Sequence, residues 1–468
     1  MKKLESETLL EYKKRVMDPI SPTFCGAKWH GATIWLGHGQ TVSCHLPASH
    51  DIPLSELKNN PTAIHNTSHK KYQRLSMLEG ERPAECYKCW NVEDLQEENL
   101  SERVLKTVNY TENDLNQIPL VNWDKDTFLR TLERSFDRAC NFACSYSGPT
   151  FSTTWAKDIK DDGPYIGLDS DKRMHYKSDA EWAEIAPKSE EVNPYIQAFW
   201  KWWDVEGGLV DTLEGLRITG GEPIMHPSVW RLFEWFKENP GRGDNIRLSI
   251  NSNLVPDKEK TFQKLLDIAD SVPNFEIFTS NESIGAHAEY IRDGIDYDRW
   301  VINVERILNE TQVQRVYVMM TINALCLNSI TEFMDKILDI RKDKPTNMRI
   351  LRGPILSLNP VYNPEFQSMS TFPTHILQHY TDEIQAWYDK RKEELIDIED
   401  VHITRLLSQL NDIINNPVDA DKLEQRQIDF KSFYTQYDKR RNKDFRKTFD
   451  PIIVDWYDSI KTAGEKNE

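Results

Sequence analysis

At 468 residues, with 39% hydrophobic content including 14 Trp, 17 Tyr and 18 Phe, the chain has room for two or three domains and enough apolar mass to exclude wholesale disorder. Its 75 Asp+Glu against 58 Lys+Arg give a formal charge of −17, which argues against non-specific binding to nucleic-acid phosphates. The longest apolar run, about Val316 to Leu327, is interrupted by Thr321 and Asn323 and is too short to span a bilayer. Residues 1–8 lack the apolar stretch of a secretory signal, so the expectation is a cytoplasmic protein with neither a membrane nor a nucleic-acid partner.

In chain order, residues 1–118 form a segment of their own. It holds Cys25, Cys44, Cys86 and Cys89, a strand-like run Ala32–Leu36, and a charged helix-favouring stretch from Val92 to Leu105. Its apolar content reads as thin, which is where metal staples are usual. Residues 119–365 alternate. Strand-like runs at Leu216–Thr219, Ile246–Ile250, Phe275–Phe278, Val316–Ile322 and Met348–Leu351 are separated by helical stretches at Val229–Glu238, Lys258–Ile268, Tyr297–Asn309 and Ile330–Lys342. Such alternation predicts βα units and a parallel sheet, closed or partly closed as a barrel, with its chemistry in the loops at the strands' C-terminal ends. Residues 366–468 predict a polar helical extension, with apolar residues at helical spacing in Ile384–Ile396, Ile403–Asn415 and Leu423–Arg440.

Three constellations carry chemistry. Cys140 and Cys144 follow a predicted first strand, Phe128–Phe136, with Tyr146 and Ser147 directly after them. Closely spaced thiolates in a loop can wrap the corners of an iron–sulfur cluster, but two cysteines four apart also read as buried structural thiols. Second, Arg217-Ile-Thr-Gly220-Gly221-Glu222-Pro223 follows a strand and precedes a helix. The glycine pair admits close approach to backbone, and Glu222 supplies a negative acceptor for an ammonium. Third, the pair Cys86-x2-Cys89, with Cys25 and Cys44, offers four thiolates suited to a tetrahedral structural metal. Cys326, in an apolar stretch, reads as a buried structural thiol.

Together the Cys140–Ser147 loop and Gly220–Pro223 resemble the radical S-adenosylmethionine (SAM) superfamily, over roughly residues 125 to 360. The resemblance implies a partial (β/α)6 TIM-like barrel over 119–365. A [4Fe–4S] cluster would sit on Cys140, Cys144 and the position of Ser147, and Gly220, Gly221, Glu222 and Pro223 would meet the methionyl amine of SAM. Tyr146 would lie near the adenine, Ser252 and Asn253 near the ribose, Ser280 at the next strand end, and Arg292 against the SAM carboxylate. Arg292 also reads as a solvated surface charge. Cys25, Cys44, Cys86 and Cys89 resemble the twitch or SPASM auxiliary-cluster domains of such enzymes, here preceding the barrel, which implies an auxiliary [4Fe–4S] cluster; structural zinc is the competing reading. The implied activity is reductive cleavage of SAM to a 5′-deoxyadenosyl radical that abstracts hydrogen from a substrate. An external electron donor would drive it, and a peptide or protein is the first-choice substrate class.

The departure is Ser147, which stands where the family's third cysteine would be. A serine hydroxyl is far harder to deprotonate than a thiol of pKa about 8.5 and is a harder ligand than such a cluster prefers. Two alternatives therefore remain open: a non-catalytic protein with one four-cysteine zinc or iron–sulfur site and a relict barrel, or a SAM-dependent methyltransferase without radical chemistry.

Overall fold

The computed structural model describes residues 3–4, 6–96, 99–171, 176, 192–342, 346–347, 350–351 and 353–462. The chain divides into two compact units. The first comprises residues 1–137, 185–220 and 234–249; the second comprises 138–184, 221–233 and 250–468.

The first unit is α/β. Strands β1 (Gly31–Trp35), β2 (Gln40–Val42), β3 (His50–Asp51), β4 (Thr131–Ser135) and β6 (Gly215–Thr219) lie in the order β6-β4-β1-β2-β3. The β1–β4 and β4–β6 pairs are parallel, while β2 and β3 return antiparallel. The β4–β6 register sets Ser135 opposite Thr219, so the two strands end level and both outgoing loops leave from one edge. Those loops carry the cysteines and the glycine pair. Helix Pro194–Trp203 starts on Asn193, whose side chain accepts from the amides of Tyr195 and Ile196, and it buries Phe199, Trp202 and Trp203.

The N-terminal part of this unit is not thin. Tyr12, Met17, Phe24, Trp29, Met77, Trp90, Val104 and Leu115 share one buried core with Cys25 and Cys86. The expected helical stretch 92–105 is two helices, Tyr87–Glu93 and Glu102–Thr107. Between them the sequence is Asp-Leu-Gln-Glu-Glu-Asn-Leu-Ser, in which clustered acids repel and Asn and Ser compete for backbone bonds. Arg103 locks the second helix by donating to Glu93 (2.7 and 2.8 Å) and to the carbonyl of Phe24 (2.7 Å).

In the second unit the strands β8 (Glu276–Ser280), β10 (Arg315–Ile322) and β13 (Pro354–Pro360) are parallel neighbours in the order β13-β10-β8. Strand β7 (Arg247–Ser252) precedes them in the chain. Along β10, Val316, Val318, Met320 and Ile322 are buried in strict alternation. Helix Tyr297–Glu310 is capped by Asp296 and buries Trp300, Val304 and Ile307 on one stripe. The strand expected at 348–351 falls partly outside the described residues; there Thr346–Asn347 (β11) pairs with Ile350–Leu351 (β12), and the following parallel strand is β13. Two short strands, β5 (Ala143–Cys144) and β9 (Arg292–Asp293), pair antiparallel.

The C-terminal region is helical, with Thr374–Arg391, Asp397–Asn415, Ala420–Arg441 and Pro451–Ser459. Ala420–Arg441 packs Phe433, Tyr434 and Tyr437 inward and reaches the cysteine loop, where Tyr434 donates to Ser145 Oγ (3.3 Å). Among the described residues no helix is long and apolar enough to cross a membrane.

Candidate functional site

The glycine pair explains how two loops share one place. Gly220 has φ +127°, and a Cβ there would meet the Asp137 carbonyl at 2.6 Å and Ser135 Oγ at 2.7 Å. A Cβ on Gly221 would lie 2.5 Å from the Arg138 carbonyl and closer still to that of Ala139. Only glycine allows this backbone-on-backbone approach. The Glu222 amide then donates to Ala139 O (2.6 Å), tying the glycine loop to the residue before Cys140.

Glu222 is 2% exposed. Its carboxylate accepts from Ser252 Oγ (2.7 Å), the Asn253 amide (2.6 Å) and the Ile224 amide (3.3 Å). A carboxylate has about four lone-pair sites, so one acceptor direction stays free. Burial pushes the carboxyl up to about 7, against the three donors that pull it down. Ser252 and Asn253, expected at a ribose, are thus committed here to holding Glu222. Asn253 Nδ2 also donates to Asn141 Oδ1 (2.9 Å), and Asn141 in turn donates to Val255 O (2.8 Å). The bulky, buried Leu254 next to them sits at φ +57°, a backbone region that non-glycine residues rarely occupy.

The Phe142 amide donates to Cys140 Sγ (3.4 Å), and Thr154 Oγ1 donates to the Cys140 carbonyl (2.7 Å). Cys144 pairs with Arg292 in the β5–β9 ladder, its carbonyl accepts from Trp155 Nε1 (2.9 Å), and its sulfur accepts from Arg292 Nη1 (3.7 Å). Burial pushes both thiols up; at Cys140 the neighbouring Cys144 adds to the rise, while at Cys144 the Arg292 guanidinium opposes it. The Ser147 amide donates to Cys144 O (2.9 Å), closing a turn that sets Ser147 beside Cys144.

Arg292 is buried, 5% exposed, so it is not a solvated surface charge. Glu282, 1% exposed, takes its Nε (3.1 and 3.0 Å) and Nη2 (2.6 Å). Tyr146 donates its hydroxyl to the same carboxylate (3.0 Å), and the Arg292 guanidinium lies 5.5 Å from the Tyr146 ring. Arg292, expected to meet a ligand carboxylate, thus already holds an internal one. Glu282 escaped sequence reasoning. Its signal was the polar triplet Asn281-Glu282-Ser283 straight after the β8 run, all three buried. Ser280 ends β8, in register with Met319 of β10, and is partly exposed.

In the first unit, Cys25, Cys44, Cys86 and Cys89 line one cavity with Lys28, Arg103 and Lys106. Its volume, about 20 Å³ for the centre of a water-sized sphere, suits one small ion or water. Burial pushes Cys25 up to about 12 and Cys86 up to about 11, and it also raises Cys44. Lys28, 3% exposed, is ion-paired with Glu85, which also takes His69 Nε2 (2.8 Å). His30 and His38 are buried away from the thiol cavity's lining, and His45 lies against Lys106. Cys326 is fully buried and bonded to Asn323. Among the described residues no three His, Cys, Asp or Glu side chains stand close enough together to hold a metal ion.

No protein-family model matches the chain, and no curated protein does. Among solved structures it is similar to Streptococcus suis SuiB bound to S-adenosylmethionine, with 11% identity over 80% of this chain and 70% of that one at a TM-score of 0.33. SuiB bound to the precursor peptide SuiA shows 10% identity over 77% and 68% at 0.33. TYW1 with a lysine–pyruvate adduct shows 14% identity over 56% and 74% at 0.29. At such scores neither fold nor activity is carried over from them.

Proposed function

We propose that the chain is a radical SAM enzyme scaffold, in which Cys140 and Cys144 supply two corners of a cluster site and Ser147 a weak third. The observation that supports this most is the approach of Gly220–Gly221 to residues 137–139. It brings the two motifs of the resemblance together at a place where each glycine is sterically required. When bound, the cluster and SAM would supply the low-potential electron and the radical that abstracts substrate hydrogen.

The protein's own residues have defined tasks in this reading. The Phe142 amide and Arg292 Nη1 stabilise anionic sulfur at Cys140 and Cys144. Glu222, held by Ser252 and Asn253, offers its remaining acceptor direction to an ammonium. Half-buried Tyr146 and buried Arg292 meet on the Glu282 carboxylate, which fixes both side chains beside Cys144. The donor set fits a cluster at two positions and departs from it at Ser147. A peptide substrate, and an auxiliary cluster on Cys25, Cys44, Cys86 and Cys89, are proposals carried by the resemblance.

Anaerobic reconstitution with iron counting and SAM-cleavage assays on the parent and on Ser147→Cys tests the reading. The expected result is more iron per chain in the variant, together with SAM cleavage; a variant that gains no iron and cleaves no SAM overturns it. A second reading, zinc in the N-terminal site, rests on the four cysteines lining one cavity there, whose side chains would have to draw together on the ion; metal analysis showing one zinc per chain would establish it.

A further inference from the structure

In the first unit a cavity of about 140 Å³ is lined chiefly by Trp29, Leu78, Ile118, Val121, Trp123 and Phe128. That volume is close to the cavity of about 150 Å³ that stays dry and accepts a benzene ring in another protein. The carboxylates at its edge are already committed: Asp114 to Arg130 (2.7 Å) and Asp126 to Lys71 (2.6 Å). His30, Gln117, Asn122, Lys125 and Thr127 also line it, and the apolar side chains supply most of its wall.

Its surroundings are unusual for a solvent-facing surface. Val121 is 50% exposed, the adjacent Leu120 is 75% exposed, and Tyr72, 59% exposed, sets its ring 5.4 Å from that of Trp123. Scattered exposed apolar residues need no explanation, but a contiguous group beside a ring-sized cavity marks an interaction surface. A free ring would fill the cavity and leave these side chains wet, whereas residues flanking a ring in a peptide would cover them. The chain's charge of −17 opposes an acidic partner and opposes a second copy of the same chain.

We propose that this cavity is an anchor pocket for one aromatic side chain of a neutral or basic peptide, with Leu120, Val121 and Tyr72 receiving the flanking residues. The inference goes beyond the cluster reading, since neither metal nor SAM enters it, and it stands or falls separately.

Titration calorimetry of the full chain with acetyl-Lys-Phe-Lys-amide, acetyl-Lys-Ala-Lys-amide, acetyl-Glu-Phe-Glu-amide and N-acetyl-phenylalaninamide tests it. Burying a ring should favour the Phe peptide over the Ala peptide by about tenfold or more. The acidic peptide and the free amide should both bind more weakly than the basic Phe peptide. Val121→Trp, a change at a half-exposed loop position, should block the mouth and abolish the Phe preference, while a thermal melt confirms the fold. Equal binding of the Phe and Ala peptides, or an unchanged preference in Val121→Trp, overturns the pocket. Equal binding of the free amide overturns the peptide as its occupant, and equal binding of the acidic peptide overturns the charge argument.

Discussion

Glu222→Gln should remove a pH dependence of stability whose sign and size follow from the site. In the folded chain burial pushes the Glu222 carboxyl up to about 7 from an ordinary 4.5. Between those values the folded state binds the proton that the unfolded state has released, so this group's contribution to stability is present at low pH and is lost as pH rises toward 7. Integrating between pH 5 and pH 8 gives a loss of about 2.5 kcal/mol attributable to this one carboxyl. Glutamine cannot titrate, and its amide nitrogen would face either Ser252 Oγ or the Asn253 amide, two donors that both need an acceptor. The variant should therefore be less stable than the parent at pH 5 by about 1–3 kcal/mol for the unsatisfied donor, since glutamine is as neutral as the protonated carboxyl it replaces. Chemical denaturation of both proteins at pH 5 and pH 8 isolates the effect, because other titrating groups cancel in the difference between them. At pH 8 the variant should have gained about 2.5 kcal/mol on the parent, which closes or reverses the gap. A gap of the same size at both pH values would refute the argument that burial of Glu222 controls its ionisation.

Gly221→Ala should destabilise the junction of the two loops by at least about 1–3 kcal/mol, since its Cβ has only rigid backbone carbonyls to displace, and a thermal melt reads this directly. Glu282→Gln should cost about 3–5 kcal/mol by leaving the buried Arg292 charge uncompensated. Arg292→Met combined with Glu282→Gln should cost less than the two single changes summed, and the double-mutant cycle measures that coupling. Cys86→Ser combined with Cys89→Ser should abolish metal bound by the N-terminal site; metal content equal to the parent's by mass spectrometry would show that the four thiols are not ligands.

Much of the α/β alternation was legible because its signals are local. The runs at 216–219, 246–250, 275–278 and 316–322 are strands within two or three residues of the expected bounds, and helix Ile330–Lys342 matches its expected range. The glycine requirement was also legible as a motif, but its cause was not. Gly220 and Gly221 are needed because of Asp137, Arg138 and Ala139, some eighty residues earlier, and the level ends of β4 and β6 set that approach. Glu282 was missed for the same reason. A carboxylate after a strand usually meets water, and only the fold shows Arg292, Tyr146 and the Thr321 amide converging on it. The N-terminal core was underestimated because its apolar residues, from Tyr12 to Ile118, are dispersed among polar ones and gather only in three dimensions.

The partners of Arg292 also sharpen what Ser147→Cys tests. The turn that places residue 147 is closed by its backbone amide on the Cys144 carbonyl, and Trp155 Nε1 holds that same carbonyl. Neither bond involves the side chain at 147, so exchanging oxygen for sulfur leaves the turn as it is and changes only the ligand. The two existing sulfurs already receive donors suited to thiolates, Cys140 from the Phe142 amide and Cys144 from Arg292. A third thiol would therefore join two sulfurs that already have donors while burial holds both thiols up, and restored iron with an unchanged melting curve is the expected pair of results. Restored iron with a lowered melting temperature would show instead that the turn had been built around the serine, and the loop would then have to be read as adapted to a hydroxyl.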